Sequence, residues 1–334
     1  MKKMPRRKDT VKKKNQRSQK KKTLRRILLL SVALLFVTGF VLWASRAENL
    51  RSLKDSFRRM VWSVKNREQR TYNAKSLLVI DRKNNEAFVQ KVEKEALPPA
   101  SLAKLFSVCY ASEKLDLDEK IPVTAEALAH VKKGSSVARL EAGEVYTLHD
   151  LFAAMLVPSG NDAAYVLADF LGGKDHPQAK TSEERIQSYL TDLNDYIQKR
   201  GWTRTKIYDP SGYDFKGSTC AQDLKGVSDL LLTKDWFRKI VCQARYTAQR
   251  VDGGSKSWVN TNHFLRSEDS NYNPRVMGIK TGSLGQDYNI VVLYVSGEKE
   301  YLIISLGSET DQSRYEDVNV LLKSIDESPY LKKK

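Results

Sequence analysis

The chain has 334 residues, 41% of them hydrophobic, which is enough to bury the core of one large domain or two small ones and too apolar for a disordered chain. Its formal charge of +17 would suggest a nucleic-acid partner if spread evenly, but residues 1–26 hold fourteen Lys and Arg against the single Asp9, so the remainder is nearly neutral and the case for nucleic acid falls away. Three cysteines (Cys109, Cys220, Cys242) and four histidines, without C-x-x-C or paired-His spacing, exclude a disulfide framework and imply no metal and no cofactor.

Residues 1–26 form a basic tail, and residues 27–45 (ILLLSVALLFVTGFVLWAS) run without a charge between Arg26 and Arg46. A helix of that length, at about 1.5 Å per residue, nearly matches a hydrocarbon core of about 30 Å. A cleaved signal sequence is the competing reading, since Ala44 is small enough for a cleavage site. Signal apolar regions run only about 7 to 15 residues, however, and the length favours an uncleaved transmembrane helix. The positive-inside rule then keeps the tail cytoplasmic and places everything after Arg46 outside the cell. In residues 46–73, Leu50, Leu53, Phe57, Met60, Val61 and Val64 recur at helical spacing, as expected for an amphipathic stalk or linker, either packed loosely on the domain or lying on the membrane surface.

A domain of residues 74–330 follows. Residues 76–80 (SLLVI), a polar turn at 81–85 and residues 86–92 (EAFVQKV) read as a hairpin. A second hairpin is expected from 289–295 (NIVVLYV), the turn SGEK and 301–306 (YLIISL). Helical patterns fall around 102–114, 148–170, 183–199 and 221–232, with a final amphipathic helix at 314–324. Strands at both chain ends with helices between predict an α+β domain, in which the terminal segments share an antiparallel sheet and a helical subdomain is inserted.

Three short segments carry chemistry. Ser101 and Lys104 open an apolar helical run after Pro98-Pro99-Ala100, so the serine falls at a helix start and the lysine, three residues on, shares its face. A serine hydroxyl needs an adjacent base, and lysine serves only when its pKa is lowered by desolvation or a nearby cation; Leu102, Leu105 and Phe106 supply apolar surroundings. The bland reading of this pair is a surface helix cap. Ser159-Gly160-Asn161 lies in the polar break PSGND between two apolar helical runs, and a plain loop explains the turn but not a hydroxyl and a side-chain amide on one tip. Lys280-Thr281-Gly282 follows an apolar run; on an edge strand facing a cleft, lysine and threonine hold a carboxylate and glycine admits a peptide backbone, whereas alone the tripeptide is an exposed strand end. None of the histidines is assigned to catalysis; His149 reads as a capping or surface residue. The odd cysteine count argues against full pairing, and buried thiols fit better than a Cys220–Cys242 bridge.

In this order and at these intervals, the three segments resemble the S-x-x-K, S-x-N and K-T-G set of penicillin-binding proteins and serine β-lactamases. Longer stretches, PPASLAKL, GSSVARLEAGEVYTLHDLFAAMLVPSGNDAAYVLA, DPSGYDFKGSTCAQDL and TNHFL before GIKTG, resemble the low-molecular-mass D-alanyl-D-alanine carboxypeptidases over roughly residues 74–308. The resemblance implies a β-lactamase/transpeptidase-like fold and a cell-wall partner, the peptidoglycan stem peptide ending in D-Ala-D-Ala, with β-lactams as covalent inhibitors. By the same resemblance Ser101 attacks the penultimate D-alanine carbonyl and Lys104 takes its proton. Ser159 and Lys280 relay a proton to the departing D-alanine, and Asn161 positions the substrate amide. Thr281 and Ser283 receive the terminal carboxylate, and the N–H groups of Ser101 and Ser283 meet the oxyanion. A Lys280 ammonium is expected to help keep Lys104 neutral. The chain departs from the family pattern after K-T-G, where Ser283 stands in place of the common histidine, and in carrying its apolar segment at the front.

Other readings share the first chemical steps. A β-lactamase needs an acidic residue to activate a deacylating water, and Glu183 and Glu184 lie in the relevant interval without the expected asparagine pattern. A transpeptidase or endopeptidase differs only in the acyl acceptor or donor, and a β-lactam or peptidoglycan sensor would acylate with little turnover.

Overall fold

The computed structural model of the chain describes residues 72–327 together with Thr38, so the expected tail and spanning helix, and the stalk as far as residue 71, lie outside what is described, Thr38 aside. The chain divides into two compact units, Met1–Asn66 and Arg67–Lys334, and the fold below is that of the second. Among the described residues no helix is long and apolar enough to cross a membrane.

Strand β1 (Ser76–Asp81) is the run SLLVID, with all six residues buried. Its partner β2 (Glu86–Lys91) follows through a turn in which the Asp81 carboxylate accepts from Lys83 N at 3.1 Å and Asn84 Nδ2 at 3.0 Å. Three further strands, β7 (Val276–Leu284), β8 (Asp287–Ser296) and β9 (Lys299–Ser308), complete a five-stranded antiparallel sheet in the order β2-β1-β9-β8-β7. The two expected hairpins therefore pair through β1 and β9, joining the two ends of the domain. Six consecutive residues of β8 and eight of β9 are buried, which requires both sheet faces to be covered.

That cover comes from helices. The last, α8 (Asp311–Glu327), packs on β8 and β9, while α6 (Ala221–Leu231) packs on β1, β9 and the helix α1 (Ala103–Ala111). The inserted subdomain holds the short α2 (Ala125–Ala129), then α3 (Leu148–Leu156), α4 (Asn161–Asp175) and α5 (Ser182–Lys199), with α7 (Asp235–Val241) against α3 and β7. Two small ribbons, β3 (Lys120–Pro122) with β4 (Val145–Thr147) and β5 (Arg245–Gln249) with β6 (Ser255–Val259), brace it.

Local chemistry explains the boundaries. Thr147 caps α3 by accepting from Asp150 N, and Thr181 with Glu184 forms a reciprocal capping box on α5. The expected helix over 148–170 is two helices, α3 and α4, parted at the S-x-N segment. All three cysteines are free, so the conceivable Cys220–Cys242 bridge is not formed. His149 sits in the first turn of α3, where Thr147 is the cap, and its ring nitrogen lies 3.1 Å from the Tyr246 hydroxyl.

Candidate active site

Ser101 sits in a single 3-10 turn, Ala100–Leu102, that leads directly into α1. Two prolines before it contribute carbonyls but no N–H groups, and a side chain from the sheet uses them: Asn289 Nδ2 donates to Pro98 O at 2.9 Å and Pro99 O at 3.3 Å, while its Oδ1 accepts from Gly307 N at 2.8 Å. Backbone crowding holds the turn from two other sides. Gly212, at φ +79°, leaves so little room that a Cβ there would stand 1.9 Å from Ala100 O, and one on Gly282 would stand 3.1 Å from Pro99 O and 3.2 Å from Ser101 N. The K-T-G strand thus runs against the backbone of Ser101.

Lys104 is fully buried, and its Nζ donates to Ser101 Oγ at 2.8 Å, Asn161 Oδ1 at 2.8 Å and Ser211 O at 3.0 Å. An ammonium has three protons and these are three acceptors, but a neutral amine retains a lone pair to aim at the serine hydroxyl. Burial lowers Lys104 from 10.5 to about 7, against the pull of the Asp209 and Asp162 carboxylates, which raise it.

Ser159 holds a left-handed backbone at φ +64° and is buried, as is Asn161, the first residue of α4. The next residue, Asp162, ties this loop to a second one: its carboxylate accepts from Ala138 N at 2.8 Å and Leu140 N at 3.0 Å, and Asn161 N donates to Ser136 O at 2.8 Å. On the other side lies β7, an edge strand as expected. There Lys280 Nζ donates to Thr281 O at 2.8 Å, and Thr281 and Thr261 share a 2.7 Å hydroxyl contact. Burial, and then the nearby charges of Lys104 and Arg314, push Lys280 well below its usual value. Burial is the main cause of the depression at both amines, and at Lys280 the neighbouring Lys104 and Arg314 charges add to it.

A cleft of about 320 Å³ opens between these parts. Ser101, Ser159, Thr281, Gly282 and Ser283 line it, with Lys104, Asn161 and Lys280 buried behind them, so all eight residues singled out by sequence meet at one place. Sequence reasoning missed Ser136, Thr261, His263, Arg266 and Arg314, which also line the cleft. Arg314, in the first turn of α8, donates through Nη1 to Gly282 O (3.1 Å), Ser283 Oγ (3.0 Å) and Asn289 O (3.2 Å) and pairs with Asp311. It places a guanidinium beside Ser283, where the family pattern commonly has a histidine. His263 stacks on Tyr315 at 4.9 Å and faces Asp269 at 3.3 Å. Among the described residues no cluster of His, Cys, Asp and Glu is suited to a metal ion. The arrangement provides a hydroxyl against a desolvated amine, a second hydroxyl on the cleft wall, a second buried amine on β7, and a cationic end for an anion.

The chain is also similar to known proteins. The chain is 26% identical over 260 residues to the D-alanyl-D-alanine carboxypeptidase DacF of Bacillus subtilis, covering 75% of this chain and 61% of that protein. It is 26% identical to DacC of Escherichia coli, covering 76% of this chain and 62% of that protein, so the chain spans about three fifths of the length of these relatives. Among solved structures, a single-residue variant of a Streptomyces DD-transpeptidase matches with a TM-score of 0.68 at 25% identity, covering 77% of this chain and 98% of that one. A penicillin-binding protein of Listeria monocytogenes in its ampicillin-bound form matches with a TM-score of 0.60 at 24% identity, covering 76% of this chain and 97% of that one, a likeness of fold. The family model for D-alanyl-D-alanine carboxypeptidase matches residues 63–310, and the chain belongs to that family.

Proposed function

We propose that the chain is a membrane-anchored serine-type D-Ala-D-Ala carboxypeptidase that removes the terminal D-alanine from peptidoglycan stem peptides through an acyl-enzyme on Ser101. The observation that carries this reading is the 2.8 Å contact between Ser101 Oγ and Lys104 Nζ, with that amine fully buried and lowered to about 7. A lysine so placed is half neutral at neutral pH and is a competent base.

In the acylation step, Ser101 Oγ bonds to the penultimate D-alanine carbonyl as its proton passes to Lys104 Nζ. The oxyanion is met by the N–H groups of Ser101 and Ser283, each preorganised donor of this kind contributing about 3 kcal/mol. The C–N bond then breaks, and the proton held on Lys104 Nζ passes by way of Ser159 Oγ, with Lys280 behind it, to the departing D-alanine amine, which returns Lys104 to its neutral form. Asn161 orients the substrate amide. Thr281 and Ser283 receive the terminal carboxylate, and Arg314 beside them adds the positive charge. Water finally hydrolyses the ester.

The proposed organisation is a cytoplasmic basic tail (1–26), a transmembrane helix (27–45), a stalk (46–73) and the peptidase domain (74–330) on the cell-wall side. The 3-4-3 spacing of apolar residues in the stalk and the charge block abutting the apolar segment support it.

A β-lactamase reading is disfavoured by the cleft itself, which no carboxylate lines among the described residues. Glu184 is committed to the α5 cap and Glu183 faces His130 at 3.4 Å. The test is to incubate the full chain in detergent with a peptide ending in D-Ala-D-Ala and assay free D-alanine, with a Ser101→Ala control and fluorescent penicillin as a trap. Ser101-dependent release supports the reading. Penicillin labelling without D-alanine would mark a sensor, and rapid release of hydrolysed penicillin a β-lactamase.

A further inference from the structure

The cleft has two ends of different electrical character. At the carboxylate end each guanidinium already has an acid: Arg314 pairs with Asp311, and Arg266 with Asp269 at 2.7 Å. At the other end, past Ser159 and Ser136, three exposed lysines stand on two loops that meet beside the cleft. Lys132 and Lys133 precede Ser136, whose carbonyl is bound by Asn161 N, and Lys216 lies on the loop whose Ser211 carbonyl accepts from Lys104. The loops meet where Lys132 Nζ lies 5.9 Å over the Tyr213 ring. Among the described residues none of the three lysines has an ion-pair partner, whereas Lys114, Lys174 and Lys256 elsewhere on the domain are paired. Asp214, the acid nearest to Lys216 in sequence, accepts from Lys216 N at 2.8 Å.

Unpaired cations at one mouth of a cleft focus potential there, and an exposed aromatic, Phe215 at 65% exposure, stands next to Lys216. With the terminal carboxylate at the Thr281 end and the scissile carbonyl over Ser101, the acyl-donor arm must leave past Ser136. We infer that this lysine-bearing mouth is a subsite for a donor arm carrying free carboxylates, so that the enzyme selects anionic stem peptides over ones whose arm is neutral or amidated. The inference rests on the proposed peptidase reading and adds its substrate class. The lysines stand outside the catalytic set and act by attracting and positioning the arm.

Two peptides ending in D-Ala-D-Ala test it on the full chain in detergent: one whose arm contains a γ-linked D-glutamate with its free α-carboxylate, and the same peptide with that carboxylate amidated. The expected result is a KM about tenfold lower for the acid, as three partly exposed charge pairs would give, with kcat unchanged. The triple variant Lys132→Gln, Lys133→Gln, Lys216→Gln should erase the difference while leaving turnover of the amidated peptide within about twofold, and raised salt should narrow the gap in the parent chain only. Equal KM values in the parent, or equal loss on both peptides in the variant, would overturn the inference. So would lysine-dependent binding to an anionic wall polymer without any difference between peptides. Fluorescence anisotropy with Ser101→Ala separates this from a failure of the functional reading: tighter binding of the acid by that variant upholds the subsite even if no D-alanine is released.

Discussion

A buried amine with three hydrogen-bond acceptors around it is costly to fold and useful only for chemistry, and Lys104 is such a group. Its value of about 7 lies below the 10.5 of an unfolded lysine, so the folded chain holds this proton more weakly than the unfolded one. The cost is fully present below pH 7 and disappears as the pH rises toward 10.5. Replacing it by the similarly sized, uncharged Lys104→Met should therefore abolish acylation by about 10²–10⁴-fold while raising the melting temperature by a few degrees. Thermal scans should find that gain largest at or below pH 7 and shrinking above it; a destabilised variant at pH 7 would show that the lysine's contacts outweigh its desolvation. At this scale the sequence was most readable where chemistry is local. Ser101 and Lys104 are one helical turn apart, and Ser159 and Asn161 share one loop. Arg314 was illegible, and Thr261 and His263, although within the TNHFL stretch, carried no assigned role, because all three reach the cleft through packing of segments distant in the chain. Arg314 in particular reads as an ordinary polar position at the start of an amphipathic helix, although it is buried in the first turn of α8.

The elements that hold the site are short loops pinned by single side chains. Asp162 accepts from the N–H groups of Ala138, Leu140 and Ala163, so Asp162→Ala would strand buried donors and free the loop carrying Ser136. A loss of about 2–4 kcal/mol in denaturant unfolding is expected, with slower acylation, and an unchanged midpoint would show the loop to be held otherwise. The long apolar runs of β1, β8 and β9 announced themselves, as did the pairing of the chain ends, because a fully buried strand needs neighbours on both sides. The ribbons β3–β4 and β5–β6 and the helix α2 escaped notice. Each strand there is three to five residues and α2 is five, too short for periodicity to register, and they are specified by tertiary ties such as Trp258 Nε1 to Ala138 O at 2.8 Å and the ion pairs of Glu144 with Arg250 and Lys256.

At the scale of the whole molecule, the proposed anchor rests on charge and length. The full chain should sediment with membranes and resist extraction by high salt or alkaline carbonate but not by detergent, whereas the piece beginning near Ala74 should remain in the supernatant; salt-extractable full-length chain would contradict the anchor. The proposed catalysis depends on one property above all, an amine at Ser101 that is neutral at working pH. The pH dependence of the second-order rate of Ser101 acylation by penicillin, followed by mass spectrometry of the full chain, reads that property directly. Because the neutral amine is the base, the rate should rise about tenfold per unit below pH 7 and level off above it, with an inflection near 7. A rate that is flat from pH 5 to 9 (on the order of the range such assays span), or an adduct on another residue, would contradict the account.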